Sequence, residues 1–565
     1  IENNDNTNNI ENNDNTNNIE NNDNTLTFFK FITEEGNKFE NVIYQYLSSR
    51  YNTIQIVKSY QDIIKYSSVT DTIYNINIQT PIIFQALLSS DKLKYFGCID
   101  FLIRSDIFKE LIKDTIPDYK IKTQNGKYLY EVVDAKHSTL KLASNGYNVL
   151  NTDRYTAYKG QLFLYLELIN EVQSSKNYHA YLLGKSYNYK HCKKTYKGQG
   201  LFNKLGVIDF SSYDFEYKNK VNKAINWIND VKTKGHKWSL LPKPSRQELY
   251  PNMKNTGTKW DKFKNKYATQ LGEITSIYYC GIKRRNNCHL NNVTSWYSKN
   301  CNSRTIGFKD NSIIGKHVDC IININRSNDK LIDYGTLKND KSWIPKPNIM
   351  DFFIDFETIN SDYGQCNFYV NDDKQLVKKE IKNNNFTFMI GIGYHCNIEN
   401  DWIYKCFYLP ELNNNLEFEM FLEAEKYIED ITKKYNCNKH RLIHWTNAEI
   451  VFLNKFKSKW TPRPKLSFNF FDLYKTVYNN LVTVKGAFNY SLKSIGNAMK
   501  DLKLIDLSWD TDNCSNGLDC MLQAINLYNS KNVNQETFEH IIKYNEIDCK
   551  MMYLIFNNLV NYINS

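Results

Sequence analysis

The chain has 565 residues, 41% of them hydrophobic, and a formal net charge of +11. That length exceeds one ordinary core, so two or three domains are expected, and no apolar run approaches the ~18 residues that a membrane-crossing helix needs. Thirteen cysteines are scattered without a C-x-x-C pair, which speaks against zinc sites and a disulfide framework; with no signal-peptide pattern at the start, a soluble, intracellular protein is expected.

The sequence opens on the nonapeptide Ile1-Glu-Asn-Asn-Asp-Asn-Thr-Asn-Asn, repeated from Ile10 and again, truncated, from Ile19. It carries six acids, no bases and almost no apolar content, so residues 1–25 are expected to be disordered. Next, Gly36-Asn-Lys-Phe-Glu40-Asn-Val-Ile-Tyr-Gln-Tyr-Leu has the apolar spacing of a helix. The run Tyr95-Phe-Gly-Cys-Ile-Asp100-Phe-Leu-Ile-Arg reads as a strand with one acid in its middle, costly there unless paired or bound to metal. Tyr130-Glu-Val-Val-Asp134-Ala-Lys136-His reads as a second buried strand. Side chains alternate along a strand, so Asp134 and Lys136 share one face and Val133 and Ala135 the other. A carboxylate beside an ammonium at a strand edge can hold a divalent ion and position an attacking water. In the helical stretch from Arg154, Gln161 and Tyr165 are four apart and share a face.

The ordered set Glu40, Asp100, Asp134, Lys136, Gln161 and Tyr165 resembles the RecB and Cas4 branch of the PD-(D/E)XK nucleases. Tyr178-His-Ala-Tyr-Leu-Leu-Gly and Ile208-Asp-Phe are similar to that branch's later strands, so the resemblance covers residues 26–245. It implies a restriction-endonuclease-like α/β domain in which Glu40, Asp100 and Asp134 bind Mg²⁺ or Mn²⁺, Lys136 assists the water, and Gln161 and Tyr165 complete the site. Phe39 stands where many members carry a histidine ligand. The segment after Trp238 has no cysteine, so no iron–sulfur cluster of the Cas4 kind is expected.

Residues 246–345 hold 17 Lys/Arg against 8 Asp/Glu, a net of +9. Lys259, Lys262, Lys264, Lys266, Lys283, Arg284 and Arg285 stand among Trp260, Phe263, Tyr267, Tyr278, Tyr279 and Trp296, a pattern suited to phosphates and unstacked bases. A solvated basic face over an aromatic core is the alternative. This stretch reads as a small helical connector that resembles a helix-hairpin-helix module.

In Ile349-Met-Asp-Phe-Phe-Ile-Asp355-Phe-Glu357-Thr, alternation puts Asp355 and Glu357 on one face. Further on, Leu442-Ile-His444-Trp-Thr-Asn447-Ala-Glu449 has a strand-then-helix context, and Asp472 is a second candidate for the middle acid. Tyr544 and Asp548 are one helical turn apart. The order resembles an RNase H-like, DEDD-type exonuclease domain over 346–565, where paired metals clamp a scissile phosphate. Glutamate at 449 departs from the aspartate usual in that family.

Three readings follow: a Mg²⁺- or Mn²⁺-dependent DNA nuclease using Asp100, Asp134 and Lys136; a DEDD-type 3′-to-5′ exonuclease using Asp355, Glu357 and Asp548; or a non-catalytic nucleic-acid scaffold. DNA is the expected partner. No G-x-x-x-x-G-K-[ST] occurs, so any helicase step is expected from a separate protein. No membrane contact is expected, and a homodimer is the working expectation for assembly.

Overall fold

A computed structural model describes residues 28–113, 115–256, 260–359, 366–378, 385–396, 400–509, 517–529 and 535–565. The Asn-rich repeat at 1–25 lies outside the described residues. The chain is a mixed α/β protein built on two principal sheets.

The first sheet has seven strands, ordered Thr53–Gln55, Ile82–Ser90, Tyr95–Arg104, Tyr130–Lys141, His179–His191 and Lys194–Gln199, with Gly206–Asp209 pairing to the near half of His179–His191. The Tyr130–Lys141 and His179–His191 strands are parallel, so a crossover must join them. The Asp153–Gln173 helix supplies it, burying Leu162, Leu166 and Ile169 on one sheet face. The Phe28–Ser48 helix covers the other face with Phe39, Ile43 and Leu47. Its fully buried apolar positions are four apart, as one helix face requires.

The alternation of the inner strands is interrupted where it matters for the site. Phe101 packs on one face and Ile99 on the other, although two residues apart they should share a face. The pairing strand carries Gln85 at φ +50° between the Phe84↔Phe101 and Ala86↔Ile99 pairs, directly beside Asp100. A non-glycine residue in the left-handed region re-aims its neighbours much as a bulge does.

The second sheet has five strands, ordered Asp401–Tyr408, Phe386–Cys396, Ile349–Ile359, Lys439–His444 and Phe470–Asp472. The first three are antiparallel and the last two run parallel to the central Ile349–Ile359 strand. The 30-residue helix Gln535–Asn564 packs across Phe386–Cys396 and Ile349–Ile359, burying Ile541, Met551, Met552 and Ile555.

Between the sheets lie short helices, Asp261–Leu271, Ile282–Leu290, Ser303–Ile306 and Ile313–Arg326, around a small core of their own. They are tied to the second sheet's layer: buried His317 stacks on Tyr478 and its Nδ1 lies 2.9 Å from the Tyr490 hydroxyl. The two halves also meet through the hairpin Phe368–Val370/Leu376–Lys378, which follows Glu357 in sequence but packs on the first helix. Phe368 sits 5.6 Å from the Phe39 ring, Arg50 Nη2 donates to Lys374 O at 2.9 Å, and Glu35 accepts from the Cys366 amide. Among the described residues no helix is long and apolar enough to cross a membrane.

Candidate active site and acidic centre

The C-terminal end of the Tyr130–Lys141 strand opens into a cleft of about 740 Å³, lined by Glu35, Glu40, Lys136, His137, Tyr158 and Gln161 among others. Asp134 lies beneath Lys136, fully buried, with Lys136 Nζ 2.7 Å from its Oδ2 and 4.0 Å from Asp100 Oδ2. Asp134 Oδ1 is buried and receives no hydrogen bond. Asp100 Oδ2 accepts the Ala135 amide at 2.9 Å, which locks it against the neighbouring strand. Burial, and then the charge of Asp100, hold the Asp134 carboxyl well above the usual carboxylate range. Burial works against the Lys136 charge, but Asp134, Asp100 and Glu40 together raise its pKa above the ordinary lysine value.

Glu40 reaches the same site from the first helix. Burial and Asp100 push it up to about 8, against the pull of Lys136 and Gln85. Gln85 donates to Glu40 Oε2 at 3.0 Å and accepts from Cys98 Sγ at 3.1 Å. It is a positioning residue invisible to motif reading, because its role depends on the positive φ that turns it toward Asp100. Gln161 donates to the Tyr165 hydroxyl at 2.7 Å, so the helix pair is coupled as its spacing implies. Tyr165 lies flat against the sheet over Gly97, where an added Cβ would stand 2.7 Å from the ring. Phe39 is fully buried, its ring 5.3 Å from His137. Aromatic packing thus occupies the position where the resemblance expected a ligand.

The second centre is built differently. Asp355, Glu357 and Asp548 each offer an oxygen within 4.8 Å of the others, the one such group of metal-ligating side chains among the described residues. Asp355 and Glu357 come from alternate positions of the central strand, and Asp548 from the long helix lying across it. Asn545 holds the group together, donating to Asp355 Oδ2 at 2.8 Å and Glu357 Oε1 at 3.4 Å while accepting from Tyr404 at 2.9 Å. The approach is possible because Gly391 pairs with Asp355 across the sheet; a Cβ there would stand 1.6 Å from Asn545 Oδ1.

Burial, then Glu357, Asp548 and Glu449, drive the Asp355 carboxyl well above its ordinary value, and burial with Asp548 takes Glu357 to about 8. Asp548 rises to about 6, burial outweighing hydrogen bonds from Trp509 and Tyr544 and the charge of Lys493. Trp509 Nε1 donates to Asp548 Oδ1 at 2.7 Å, and Lys493 Nζ lies 4.7 Å above the Tyr544 ring. Asn545, Trp509 and Lys493 were not legible as site residues. Asn545 alone had a signal, since it follows Tyr544.

Glu449 is buried and close enough to act on Asp355 and Asp548 electrostatically, but its Oε2 lies 3.0 Å from Nδ1 of the fully buried His444. It stands outside the compact group of three. Asp472, the second candidate, also stands outside the group of three; its Oδ1 caps the Leu473–Asn479 helix at the Lys475 amide and accepts the Thr446 amide, both at 3.3 Å.

The basic connector divides into structural and exposed cations. Arg285 is 3% exposed, pairs with buried Glu273 at 3.6 Å and donates to Tyr250 and Pro251 carbonyls. Arg284 caps Gly307 O at 2.8 Å and lies over the Phe308 ring, and Lys264 pairs with Asp261 at 2.7 Å. In all three a carbonyl or carboxylate lies beside the charge; Arg285 is buried, whereas Arg284 and Lys264 are partly exposed. Lys262, Lys266 and Lys283 are exposed, as are Trp260 and Phe263, whereas Trp296 is buried. Lys259 lies outside the described residues. Cys280, Cys288 and Cys301 are buried together in the connector core, and burial pushes their thiols up to about 12, 12 and 11.

Compared with protein-family models, curated proteins and solved structures, the chain shows no match.

Proposed function

We propose that the chain is a metal-dependent nuclease that hydrolyses phosphodiester bonds of DNA at the cleft holding Asp100, Asp134, Lys136 and Glu40, with Gln161 and Tyr165 as supports. This is the reading of residues 26–245 as a PD-(D/E)XK domain of the RecB and Cas4 kind. The observation that carries it is the pairing of Lys136 with a fully buried carboxylate that keeps one unpartnered oxygen, at the foot of an open cleft. Buried carboxyl oxygens without donors are rare in folded proteins, and a divalent ion is the partner their charge suits.

Asp134, Asp100 and Glu40 would hold Mg²⁺ or Mn²⁺, which supplies Lewis acidity and a more acidic bound water. Asp134 and Asp100 hold Lys136 charged, and its Nζ faces the cleft where it can orient a water or neutralise a phosphate oxygen. Without a metal, burial and Asp100 push Glu40 up to about 8, and a divalent ion would bind its deprotonated form. Gln85 fixes its carboxylate, and Gln161, bonded to Tyr165, lines the cleft.

A second reading has its own observation. The compact Asp355, Glu357 and Asp548 group, with Tyr544 bonded to Asp548, suits a DEDD-type 3′-to-5′ exonuclease centre in an RNase H-like domain. We assign it metal binding first, with weaker or no cleavage, because Glu449 is tied to His444 rather than gathered with the other three acids. The test is digestion of a labelled DNA strand in Mg²⁺ or Mn²⁺. Asp134→Asn, nearly isosteric, should lose cleavage by at least ~100-fold while melting as a folded protein; wild-type cleavage by this variant would refute the proposal.

A further inference from the structure

The strand that carries the cleft's far wall does not end at the sheet. His179–His191 pairs by its first part with Gly206–Asp209 and by its second with Lys194–Gln199, so residues 186–199 form a hairpin beyond the sheet's inner layer. Between Lys185 and Ile208 there are six lysines, at 185, 190, 193, 194, 197 and 204, and no acid. Lys190, Lys193, Lys194 and Lys197 are exposed, and Lys185 and Asn188 line the cleft itself.

Register sorts the two faces of this hairpin. Asn188 lies opposite Lys197, and Lys190 opposite Thr195. Directly opposed residues, and residues two apart, share a face, so Asn188, Lys190, Thr195 and Lys197 continue the cleft wall outward. Tyr187, Tyr189 and Tyr196 occupy the reverse face, with ring centroids 6.2 and 4.9 Å apart. That stack is seated on Gly146 and Gly198, where an added Cβ would stand 3.0 Å from the Tyr189 ring and 3.1 Å from the Tyr187 ring respectively. The tyrosines therefore brace the hairpin from behind while its front is cationic.

We infer that this hairpin is a guiding arm that binds a single nucleic-acid strand by its phosphates and leads it into the Lys136 cleft. The inference rests on the reading of that cleft as a phosphodiester-cleaving site. Exposed Lys190 and Lys197 on a braced front face, with further lysines at the turn, make a surface that a polyanion can track. The cleft they border has a volume of about 740 Å³, in the range of small-ligand sites, and the arm is read as serving one strand.

The experiment measures binding of a short fluorescent single strand by the full chain in EDTA across a salt series, so that no cleavage intervenes. Substituting Lys190, Lys193, Lys194 and Lys197 together by Gln should weaken binding at least ~10-fold. For every phosphate that the variant no longer neutralises, the slope of log affinity against log salt should flatten by about 0.7. A Lys190→Glu/Lys197→Glu variant, which reverses the two charges of the front face, should with an unchanged melting temperature also bind more weakly than the wild type. Unchanged affinity and slope in both variants would overturn the inference, and so would a duplex binding as tightly as the single strand with the same flattening of slope. If the wild type fails to digest DNA in Mn²⁺, the cleft reading falls, while the salt slopes still decide whether the hairpin binds a strand.

Discussion

Asp134 and Asp355 occupy comparable places, each on an inner strand of its sheet with a second functional residue two positions on. What neutralises them differs. Lys136 lies 2.7 Å from Asp134 and 4.0 Å from Asp100, so the first centre carries its own cation and faces a cleft. At the second, Asp355, Glu357 and Asp548 converge within 4.8 Å around the neutral amide of Asn545, with Lys493 acting from above Tyr544. Converging buried carboxylates repel unless they hold protons or metal. The same alternation on a strand thus yields an ion-paired centre when the partner is a lysine, and one whose acids need protons or an added cation when it is an acid.

The largest separation of the two centres should come from their glycines. Gly391→Ala puts a Cβ into Asn545, which is fully buried and cannot swing away. It should destabilise the protein by about 1–3 kcal/mol and remove the part of any Mn²⁺-induced rise in melting temperature that the second centre contributes. Gly97→Ala pushes on Tyr165 instead. It should cut DNA cleavage by about 100-fold through misplacement of the Tyr165–Gln161 pair, with the Mn²⁺-induced rise retained. Both variants having the same two effects would erase the distinction.

A smaller effect separates the centres by pH. Glu357 sits at about 8 and Asp548 at about 6, both above their ordinary values. The native state therefore keeps protons that the unfolded chain releases from about pH 4 upward. Stability from these groups is complete at low pH and is lost as pH climbs through 6 to 8. In metal-free buffer, Glu357→Gln should flatten that decline, gaining about 2–4 °C of melting temperature at pH 8 for each kcal/mol relieved. Mn²⁺ should stabilise the wild type more at pH 8 than at pH 6, because its ligands must be deprotonated. An unchanged pH profile in Glu357→Gln would show that the acids are not coupled as described.

The smallest effect should be that of Glu449→Gln. It removes one negative charge acting on Asp355 and Asp548 but leaves the group of three intact, so Mn²⁺ affinity by calorimetry should change less than ~10-fold. Asp548→Asn should lose binding at that centre altogether. Equal losses would return Glu449 to the ligand set.

Much of both centres could be read from residue spacing. Asp134 with Lys136, Asp355 with Glu357, and Gln161 with Tyr165 follow from strand and helix periods alone, and those pairs meet as the periods require. Gln85 could not be read, because its orientation comes from one positive φ at a strand kink. Asn545, Trp509 and Gly391 depend on how a helix from the chain's end crosses a strand some 190 residues earlier. The partners of Arg285 could not be read for a related reason: a run of charges does not reveal Glu273 or the Tyr250 carbonyl beside it. The acid-free lysine run from Lys185 was legible in composition, yet its weight appears only when pairing register places it beside the cleft.

Cleavage of DNA at the lysine-bridged centre is tested most directly by single-turnover digestion of one DNA strand in Mn²⁺ by wild type, Lys136→Ala and Asp355→Asn side by side. Lys136→Ala should slow cleavage by about 10²–10⁴-fold with its Mn²⁺-induced stabilisation intact, and Asp355→Asn should stay within about threefold of wild type. Near-wild-type cleavage by Lys136→Ala, or its loss in Asp355→Asn alone, would contradict that assignment and move the chemistry to the second centre.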